Sequence, residues 1–273
     1  MSGAEAAPPL QADLERRFGA LRRLYGDAGY KRVRRARVAV IGLGGVGSWA
    51  AEALARSGVA RLVLVDLDHV SESNINRQVQ ATGRTLGQSK VQALQERLAD
   101  IHPGCELVGV EEFVGVDNWP ALLGAEVDAV IDACDQSSAK FTLAAWSLRS
   151  GVPLVCAGAA GGKRLAQRVE VEDLADASHD PLLASLRQRL RKDGVAARSG
   201  RIGVRCVFSR ESVAPPAADC ELGAAGDGTL NCHGYGSSVT VTATFGMVAA
   251  GELLGLLLAQ RKAPEQAPRT AII

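Results

Sequence analysis

Four glycines within six residues, set between two strongly patterned segments, constrain the fold of this chain more than any other feature. They are Gly42, Gly44, Gly45 and Gly47. The apolar, β-branched run 37–41 before them is typical of a buried strand, and the alanine-rich run 48–56 after them is typical of a helix. A second apolar run, 61–65, predicts the next strand. The glycines therefore form a tight turn that opens an alternating α/β fold.

Such a turn is a common binding site for the phosphate groups of a nucleotide. Glycine has no Cβ, so the backbone can come close to a phosphate, and the N-terminus of the following helix favours its negative charge. Asp66 follows the second predicted strand, where dinucleotide-binding folds place an acid for a ribose hydroxyl about 20 residues beyond the glycines. The sequence predicts a nucleotide site here, and an ordinary strand-to-helix turn is the alternative.

Polar residues beyond the second strand indicate which nucleotide chemistry the site supports. This polar set comprises Asp68, Asn74, Arg77, Gln78 and Lys90. Arg77 and Lys90 can hold a triphosphate and stabilise the charge that develops as it is attacked. An NAD site needs the ribose acid and little more, so the two cations disfavour an NAD-dependent oxidoreductase, the more distant alternative. If neither cation acts on phosphate, these residues form a solvated loop and a surface lysine.

A pair of carboxylates follows a third predicted strand. Residues 128–131 have the pattern of a buried strand, and Asp132 and Asp135 come at its carboxyl end. Two carboxylates beside a triphosphate are natural ligands for Mg²⁺, which prefers one or two carboxylates together with phosphate oxygens. Asp135 could instead cap the N-terminus of a helix that begins near Ser137.

The rest of the chain predicts a Rossmann-like, doubly wound α/β fold. Strand and helix patterns alternate from 37 to about 155, which is typical of a mostly parallel sheet. Residues 167–171 predict a strand antiparallel to this set, so the sheet gains a C-terminal antiparallel extension. Further predicted elements are a helix over 13–25, a strand and loop over 113–116, and a helix over 180–193. We expect a single domain over 13–260, whose part beyond about 160 carries the substrate and dimer region, between a disordered segment 1–12 and a flexible tail 261–273.

The apolar segment 239–260 is long enough to cross a membrane. Its only charged residue is Glu252, and its first third is rich in threonine. We expect a buried core or dimer-interface helix, with membrane association as the alternative. The N-terminal residues show no secretory signal, so the cytoplasm is the expected location.

Charge is distributed unevenly along a chain whose formal net charge is only +1. The net charge does not indicate a nucleic-acid-binding protein, but basic residues crowd into 16–37 and 187–205. Clustered cations on a neutral protein can form a local surface for the phosphate backbone of RNA. The candidate RNA contacts are Arg187, Arg189, Arg191 and Lys192. Solvated helix faces are the alternative for both blocks.

One of the six cysteines lies in a setting that favours reactivity. Cys232 precedes His233 in a loop before the segment 239–260. A cysteine near histidine or a helix N-terminus has a lowered pKa and can react as a thiolate. Cys232 is therefore a candidate catalytic residue, and a plain thiol is the alternative.

Taken together, these motifs resemble the ubiquitin-activating-enzyme-like adenylyltransferases of the ThiF/MoeB type. In that family a carboxylate attacks the α-phosphate of ATP, which gives an acyl-adenylate and pyrophosphate. The resemblance implies that Asp66 binds ribose, that Arg77 and Lys90 bind phosphates, and that Asp132 contributes to Mg²⁺ binding. It also implies a homodimer in which an arginine of the N-terminal segment reaches the other subunit's phosphates. Arg23 matches that arginine best, and Arg17 is the second candidate.

Further segments narrow the resemblance to the tRNA threonylcarbamoyladenosine dehydratases (TcdA/CsdL). These segments are 17–19, 23–26, 47–55, 206–209 and 240–246. The resemblance implies ATP-dependent cyclisation of threonylcarbamoyladenosine next to the tRNA anticodon, with loss of water. It also links Cys232 to sulfur transfer from a cysteine desulfurase system. The alternative is an adenylyltransferase for a sulfur-carrier protein; several such relatives have a four-cysteine zinc site, whereas no Cys-x-x-Cys pair occurs here and no zinc is expected.

Overall fold

The computed structural model describes residues 12–214 and 235–259, which build a seven-stranded sheet with helices on both faces. The strands are β1 (Arg37–Ile41), β2 (Arg61–Val65), β3 (Glu106–Val110), β4 (Ala129–Asp132), β5 (Leu154–Ala157), β6 (Val169–Asp173) and β7 (Arg205–Ser209). They lie in the order β3-β2-β1-β4-β5-β7-β6. All neighbours pair in parallel except β6 and β7, which are antiparallel at one edge. The predicted doubly wound sheet with an antiparallel extension is confirmed.

Seven α-helices accompany the sheet in the described residues. They are α1 (Leu14–Phe18), α2 (Ala20–Val33), α3 (Gly47–Arg56), α4 (Lys90–Ile101), α5 (Ser137–Ser150), α6 (Pro181–Lys192) and α7 (Val239–Ala259). The predicted helix 13–25 is two helices, because the chain breaks at Gly19. The second helix continues beyond the predicted end and is kinked at Gly26, whose φ is 67°. Asp180 caps α6, since its carboxylate accepts a hydrogen bond from the N–H of Leu183.

The two faces of the sheet bury two apolar cores. On β1, Val38 and Val40 face a core shared with α3, α4 and α7, whereas Ala39 and Ile41 face a core shared with α5 and α6. Central parallel strands are covered on both faces, so they appear in the sequence as continuous apolar runs. The carboxyl ends of β1, β2, β4 and β5 therefore meet at one edge, where open α/β sheets bind ligands.

The predicted strand at 113–116 is wrong. The third strand is β3, Glu106–Val110, and Phe113 and Val116 lie beyond it with exposed side chains. In the described sheet β3 pairs only with β2, at an edge, and its residues are partly or fully exposed. Because an edge strand is not covered on all sides, its apolar pattern is weak.

Helix α7 packs lengthwise on α3. A Cβ on Gly246 would overlap the carbonyl oxygen of Val46 and lie 2.8 Å from the Cβ of Trp49. The two helices can approach this closely only because residue 246 is a glycine. In the described chain α7 is the one helix long and apolar enough to span a membrane, and half of its most apolar window is buried in protein. This is the arrangement of a core helix, as predicted for most of 239–260.

The predicted terminal segments 1–12 and 261–273 fall almost wholly outside the described residues. Cys232 also lies outside them.

Candidate nucleotide-binding site

The loop between β1 and α3 is shaped by its first and last glycines. Gly42 has a φ of +84°, and a Cβ there would lie 2.8 Å from the backbone nitrogen of Cys134. A Cβ on Gly47 would overlap the carbonyl oxygen of Gly42. Both positions therefore require glycine for the packing of the chain itself.

The two inner glycines have different surroundings. A Cβ on Gly45 would lie 3.2 Å from Arg77 Cγ and from Thr242 Cβ, whereas a Cβ on Gly44 would meet no described atom within 4 Å. Packing does not explain glycine at 44, and the space beside it is open as a phosphate approaching the backbone requires. No described side chain caps α3, so the positive end of its dipole is available to an anion, although Ser48 N already donates to Gly44 O at 3.1 Å.

Asp66 supports this loop from the end of β2. Its Oδ2 accepts a hydrogen bond from Leu43 N at 2.6 Å, and its Oδ1 accepts one from Asp68 N at 2.9 Å. Lys90 Nζ lies 2.6 Å from Asp68 Oδ2 and 3.9 Å from Asp66 Oδ1. Burial raises the pKa of Asp66, and the Lys90 ammonium opposes that rise. The structure thus brings together three residues that the sequence singled out separately.

Arg77 lies beside the open loop at the end of a short turn. Its guanidinium donates hydrogen bonds to Ser73 O at 2.6 Å and Asn76 Oδ1 at 2.9 Å. The indole N–H of Trp49 donates to Arg77 O at 2.9 Å, which ties this turn to α3. Asn74, also predicted for the site, is buried and accepts from Ser71 N, so here it stabilises the turn.

Gln78 is buried together with a residue that the sequence analysis did not select. Gln80 Nε2 donates to Leu43 O at 2.9 Å and to Gln78 Oε1 at 3.3 Å. Gln80 therefore braces the glycine loop opposite Asp66, and only the repeated glutamine two residues apart could have indicated it. Its Oε1 has no hydrogen-bond partner among the described residues.

At the end of β4, Asp132 is fully buried in an ion pair with Lys140. Lys140 Nζ lies 3.1 Å from Asp132 Oδ2, while Asp132 Oδ1 accepts from Cys134 N at 3.1 Å and from the Cys134 thiol at 2.9 Å. Burial by itself lowers the pKa of Lys140, but the Asp132 carboxylate outweighs it and raises that pKa. Sequence reasoning gave Lys140 no role, because the complete burial of a lysine in the first turn of a helix is not visible in a single sequence.

Asp135 is exposed at the same edge. The residue that caps α5 is Gln136, without a side-chain hydrogen bond, so the alternative of Asp135 as the helix cap is wrong. No group of three or more histidine, cysteine, aspartate or glutamate side chains in the described chain is arranged to hold a metal ion. An ion at this edge would therefore need ligands from the nucleotide.

The comparisons with known proteins agree with this geometry. Residues 17–273 match the model of the ThiF family. The tRNA threonylcarbamoyladenosine dehydratase of Escherichia coli is 41% identical over 252 residues, which cover 89% of this chain and 94% of that protein. The chain belongs to the tRNA threonylcarbamoyladenosine dehydratases of the ThiF family.

Solved structures of an E. coli dehydratase extend this similarity to three dimensions. One, in complex with ATP, has a TM-score of 0.81 at 39% identity and covers 91% of this chain and 96% of that chain. Another, in complex with AMP, has a TM-score of 0.82 at 39% identity and covers 93% of this chain and 98% of that chain.

Most cations in the N-terminal block of this ThiF-family chain are engaged within the chain. Intramolecular partners are found for Arg17, Arg22, Arg32, Arg34 and Arg37. Arg17, the second candidate for a shared arginine, donates to Asp100 O and Ile101 O at the end of α4, at 2.8 and 2.7 Å. Arg23 is exposed, and no described residue hydrogen-bonds or ion-pairs with it.

The second basic block of this ThiF-family chain is also largely engaged. Arg187 donates to the carbonyl oxygens of Leu174 and Ala177, at 3.1 and 2.7 Å, and Arg191 donates to Gly200 O. The Arg189 guanidinium lies over the Phe141 ring, 4.0 Å from its centroid. The four predicted RNA contacts thus differ in availability, because only Arg189 and Lys192 are exposed.

Proposed function

We propose that this chain catalyses the ATP-dependent dehydration of threonylcarbamoyladenosine in tRNA, starting with adenylation of the side-chain carboxylate. One observation carries the proposal: over 91% of its length the chain matches a dehydratase whose solved structure contains ATP, and the match covers 96% of that dehydratase. The geometry described above agrees with it, since an open glycine loop, a ribose-type acid and two cations meet at one edge of the sheet. The related structure with AMP also agrees, since AMP is the leaving group in such a reaction.

The chemistry divides into two displacements. A carboxylate oxygen attacks the α-phosphorus of ATP, the bond to the bridging oxygen of the β-phosphate breaks, and pyrophosphate leaves. An internal nucleophile of the same side chain then attacks the acyl carbon, and AMP leaves with the former carboxylate oxygen. The net change in the nucleoside is the loss of one water molecule. Such a reaction needs positioning and charge stabilisation rather than a covalent bond to the protein.

The residues at the edge of the sheet have distinct roles in this proposal. Asp66 accepts a hydrogen bond from a ribose hydroxyl, and the backbone at Gly44 with the N-terminus of α3 binds phosphate. Arg77 and Lys90 hold the triphosphate, and their charge opposes the negative charge that develops on pyrophosphate as it leaves. Asp68 keeps Lys90 in place, and Gln78 supports the loop through Gln80.

Mg²⁺ accompanies ATP in this proposal, held mainly by phosphate oxygens. The exposed carboxylate of Asp135 fits such an ion. Asp132 fits it less well, because Lys140 and Cys134 already donate to its two oxygens, so it would contribute only after one donor moves. When bound, the ion would neutralise phosphate charge.

The decisive experiment incubates the purified protein with ATP, Mg²⁺ and tRNA that carries threonylcarbamoyladenosine. We expect a nucleoside lighter by one water molecule in the mass spectrum of the digested tRNA, with AMP and pyrophosphate formed in equal amounts. An ATP analogue that cannot be cleaved between its α- and β-phosphates should give no product. Raising the salt concentration should weaken tRNA binding, because contacts between exposed cations such as Arg189 and Lys192 and phosphates release counterions.

The same assay separates this function from the second candidate. If tRNA is unchanged while a sulfur-carrier protein becomes adenylated at its C-terminus, the chain is an adenylyltransferase of that type. The catalytic role of Cys232, the cysteine desulfurase partnership and the cytoplasmic location are predictions that accompany the proposed function.

We also propose that the active unit is a homodimer in which Arg23 acts on the other subunit's nucleotide. Two features support this: Arg23 is exposed without a described partner, and α7 keeps Met247, Gly251 and Gly255 exposed on a face that a second copy could cover.

Mixing two inactive variants tests this arrangement. Arg23→Ala and Lys90→Ala subunits should recover activity when they form mixed dimers, because one hybrid site carries both wild-type residues. The matched control mixes wild type with the double variant, whose mixed dimers contain no such site and should be inactive. If verified mixed dimers of the single variants stay inactive, Arg23 acts in its own subunit or not at all.

A further inference from the structure

Lys140 stands out because it is a lysine that is completely buried at the carboxyl edge of the sheet. It lies in the first turns of α5, and its three ammonium protons face three acceptors: Asp132 Oδ2 at 3.1 Å, Ala157 O at 2.7 Å and the Cys156 sulfur at 3.5 Å. One side chain thus joins the ends of the neighbouring strands β4 and β5. Because a lysine ammonium has only three donors, this position uses all of them.

Lys140 is the charged partner that orients the Asp132 carboxylate, and the Cys156 thiol also donates to Asp132 Oδ2, at 3.3 Å. Oδ2 is directed at the ammonium, which leaves Oδ1 facing the turn after β4, where it accepts from Cys134 N at 3.1 Å. That same backbone nitrogen lies 2.8 Å from the position that a Cβ on Gly42 would occupy. Ala133 N also donates to Ile41 O at 2.8 Å, so the turn after β4 is held against the start of the nucleotide loop.

Stability alone does not account for this pair. Replacing a buried ion pair by well-packed apolar residues is often neutral or stabilising, so a chain selected for stability would gain nothing from it. The pair lies at the carboxyl ends of the parallel strands, where α/β sheets bind their ligands. The buried carboxylate of Asp173, held by Arg201 and backbone N–H groups, lies instead beside the amino end of β7. The location of the pair, rather than its energy, points to a role in the site.

We propose that Lys140 is a positioning residue of the adenylation site, which fixes the orientation of Asp132 and thereby the turn that supports the glycine loop. Lys140 itself touches no substrate. This inference rests on the proposed function, since it assigns a support to the loop that binds ATP in that reaction.

Three variants test the proposal: Lys140→Met, Lys140→Arg and the double variant Asp132→Asn/Lys140→Met. Removing a residue that orients a metal ligand typically costs 10- to 100-fold in affinity or activity, and we take that range for a residue that orients the support of the nucleotide loop. We expect Lys140→Met to lower kcat by about that factor and to weaken ATP binding about tenfold, with KM for tRNA unchanged, and Lys140→Arg to restore most of both. Kinetics are measured well below each variant's Tm, and the Kd for ATP is measured by calorimetry with and without Mg²⁺.

The double variant and a matched control separate positioning from stability. Asp132→Asn/Lys140→Met has no uncompensated buried charge, so its Tm should recover relative to Lys140→Met while kcat stays low. Asp173→Asn should lower Tm without lowering kcat. The proposal is overturned if Lys140→Met keeps wild-type kcat and Kd, if the double variant regains full activity, or if Asp173→Asn loses kcat equally. If wild type leaves the modified tRNA unchanged, the proposed function fails, and the Kd for ATP still decides whether Lys140 positions the loop.

Discussion

Lys90→Ala is expected to lower kcat about 100- to 1000-fold, because a charged donor that acts on developing charge is worth roughly that factor. Lys90 Nζ lies between Asp66 and Asp68 beside the glycine loop. In the proposed reaction its positive charge stabilises the negative charge that develops on the departing pyrophosphate. The fold should persist, since Asp66 keeps its hydrogen bonds from Leu43 N and Asp68 N. Single-turnover AMP formation with the modified tRNA measures the effect, and the melting curve reports the fold.

A surface cation far from the glycine loop provides the control for Lys90→Ala. Arg56 ends α3, and its partner Glu52 keeps a second ion pair with Arg97, so Arg56→Ala should leave kcat unchanged. Arg77→Ala should lose activity to an extent comparable with Lys90→Ala. Near-normal turnover in both Lys90→Ala and Arg77→Ala would show that neither residue acts on the triphosphate.

Two glycines of the same loop should respond in opposite ways to alanine. Gly47→Ala should destabilise the fold by roughly 3 kcal/mol, or roughly 6–12 °C in Tm for a chain of this size, because the new Cβ would overlap Gly42 O and force the loop open. Gly44→Ala should leave Tm near its wild-type value, because its Cβ would meet no described atom within 4 Å. Calorimetric titration should nevertheless find ATP binding weakened in Gly44→Ala, because the methyl group occupies the space beside the backbone that the phosphate approaches.

The test compares the Tm and the ATP affinity of Gly47→Ala with those of Gly44→Ala. Equal losses of Tm would mean that the open side of the loop is packed against another part of the chain. Unchanged ATP affinity in Gly44→Ala would place the phosphates elsewhere.

The sequence predicted correctly the strands that are buried on both faces, because complete burial produces a continuous run of apolar residues. β1 and β2 are covered on both faces, so their apolar runs and the glycine turn between them could be located to the residue. β3 was missed because one of its edges is exposed and Gly109 interrupts its pattern. The N-terminal helix was predicted as one piece, whereas the chain breaks at Gly19, whose φ of −60° lies in the helical region, so no strained glycine marks the break.

The sequence indicated which residues belong to the candidate site, but not which of them are in contact with one another. Asp66, Asp68 and Lys90 could be chosen because they follow strand ends, yet their distances depend on how β2 and α4 meet. The Asp132–Lys140 pair joins residues whose complete burial only the tertiary structure reveals. The sequence could not show which cations of the basic blocks are available to RNA, because a guanidinium that bonds a backbone carbonyl has no signature in sequence.

The N-terminal helices are an integral part of the fold because of those guanidinium groups. Arg17 bonds the last carbonyls of α4, Arg32 bonds those of Leu257 and Leu258 at the end of α7, and Tyr30 and Val33 are buried. Deleting this region would uncap two helices and expose apolar side chains together with removing Arg23. A truncated protein that loses activity would therefore report on folding, and only point substitutions can isolate what the arginine contributes.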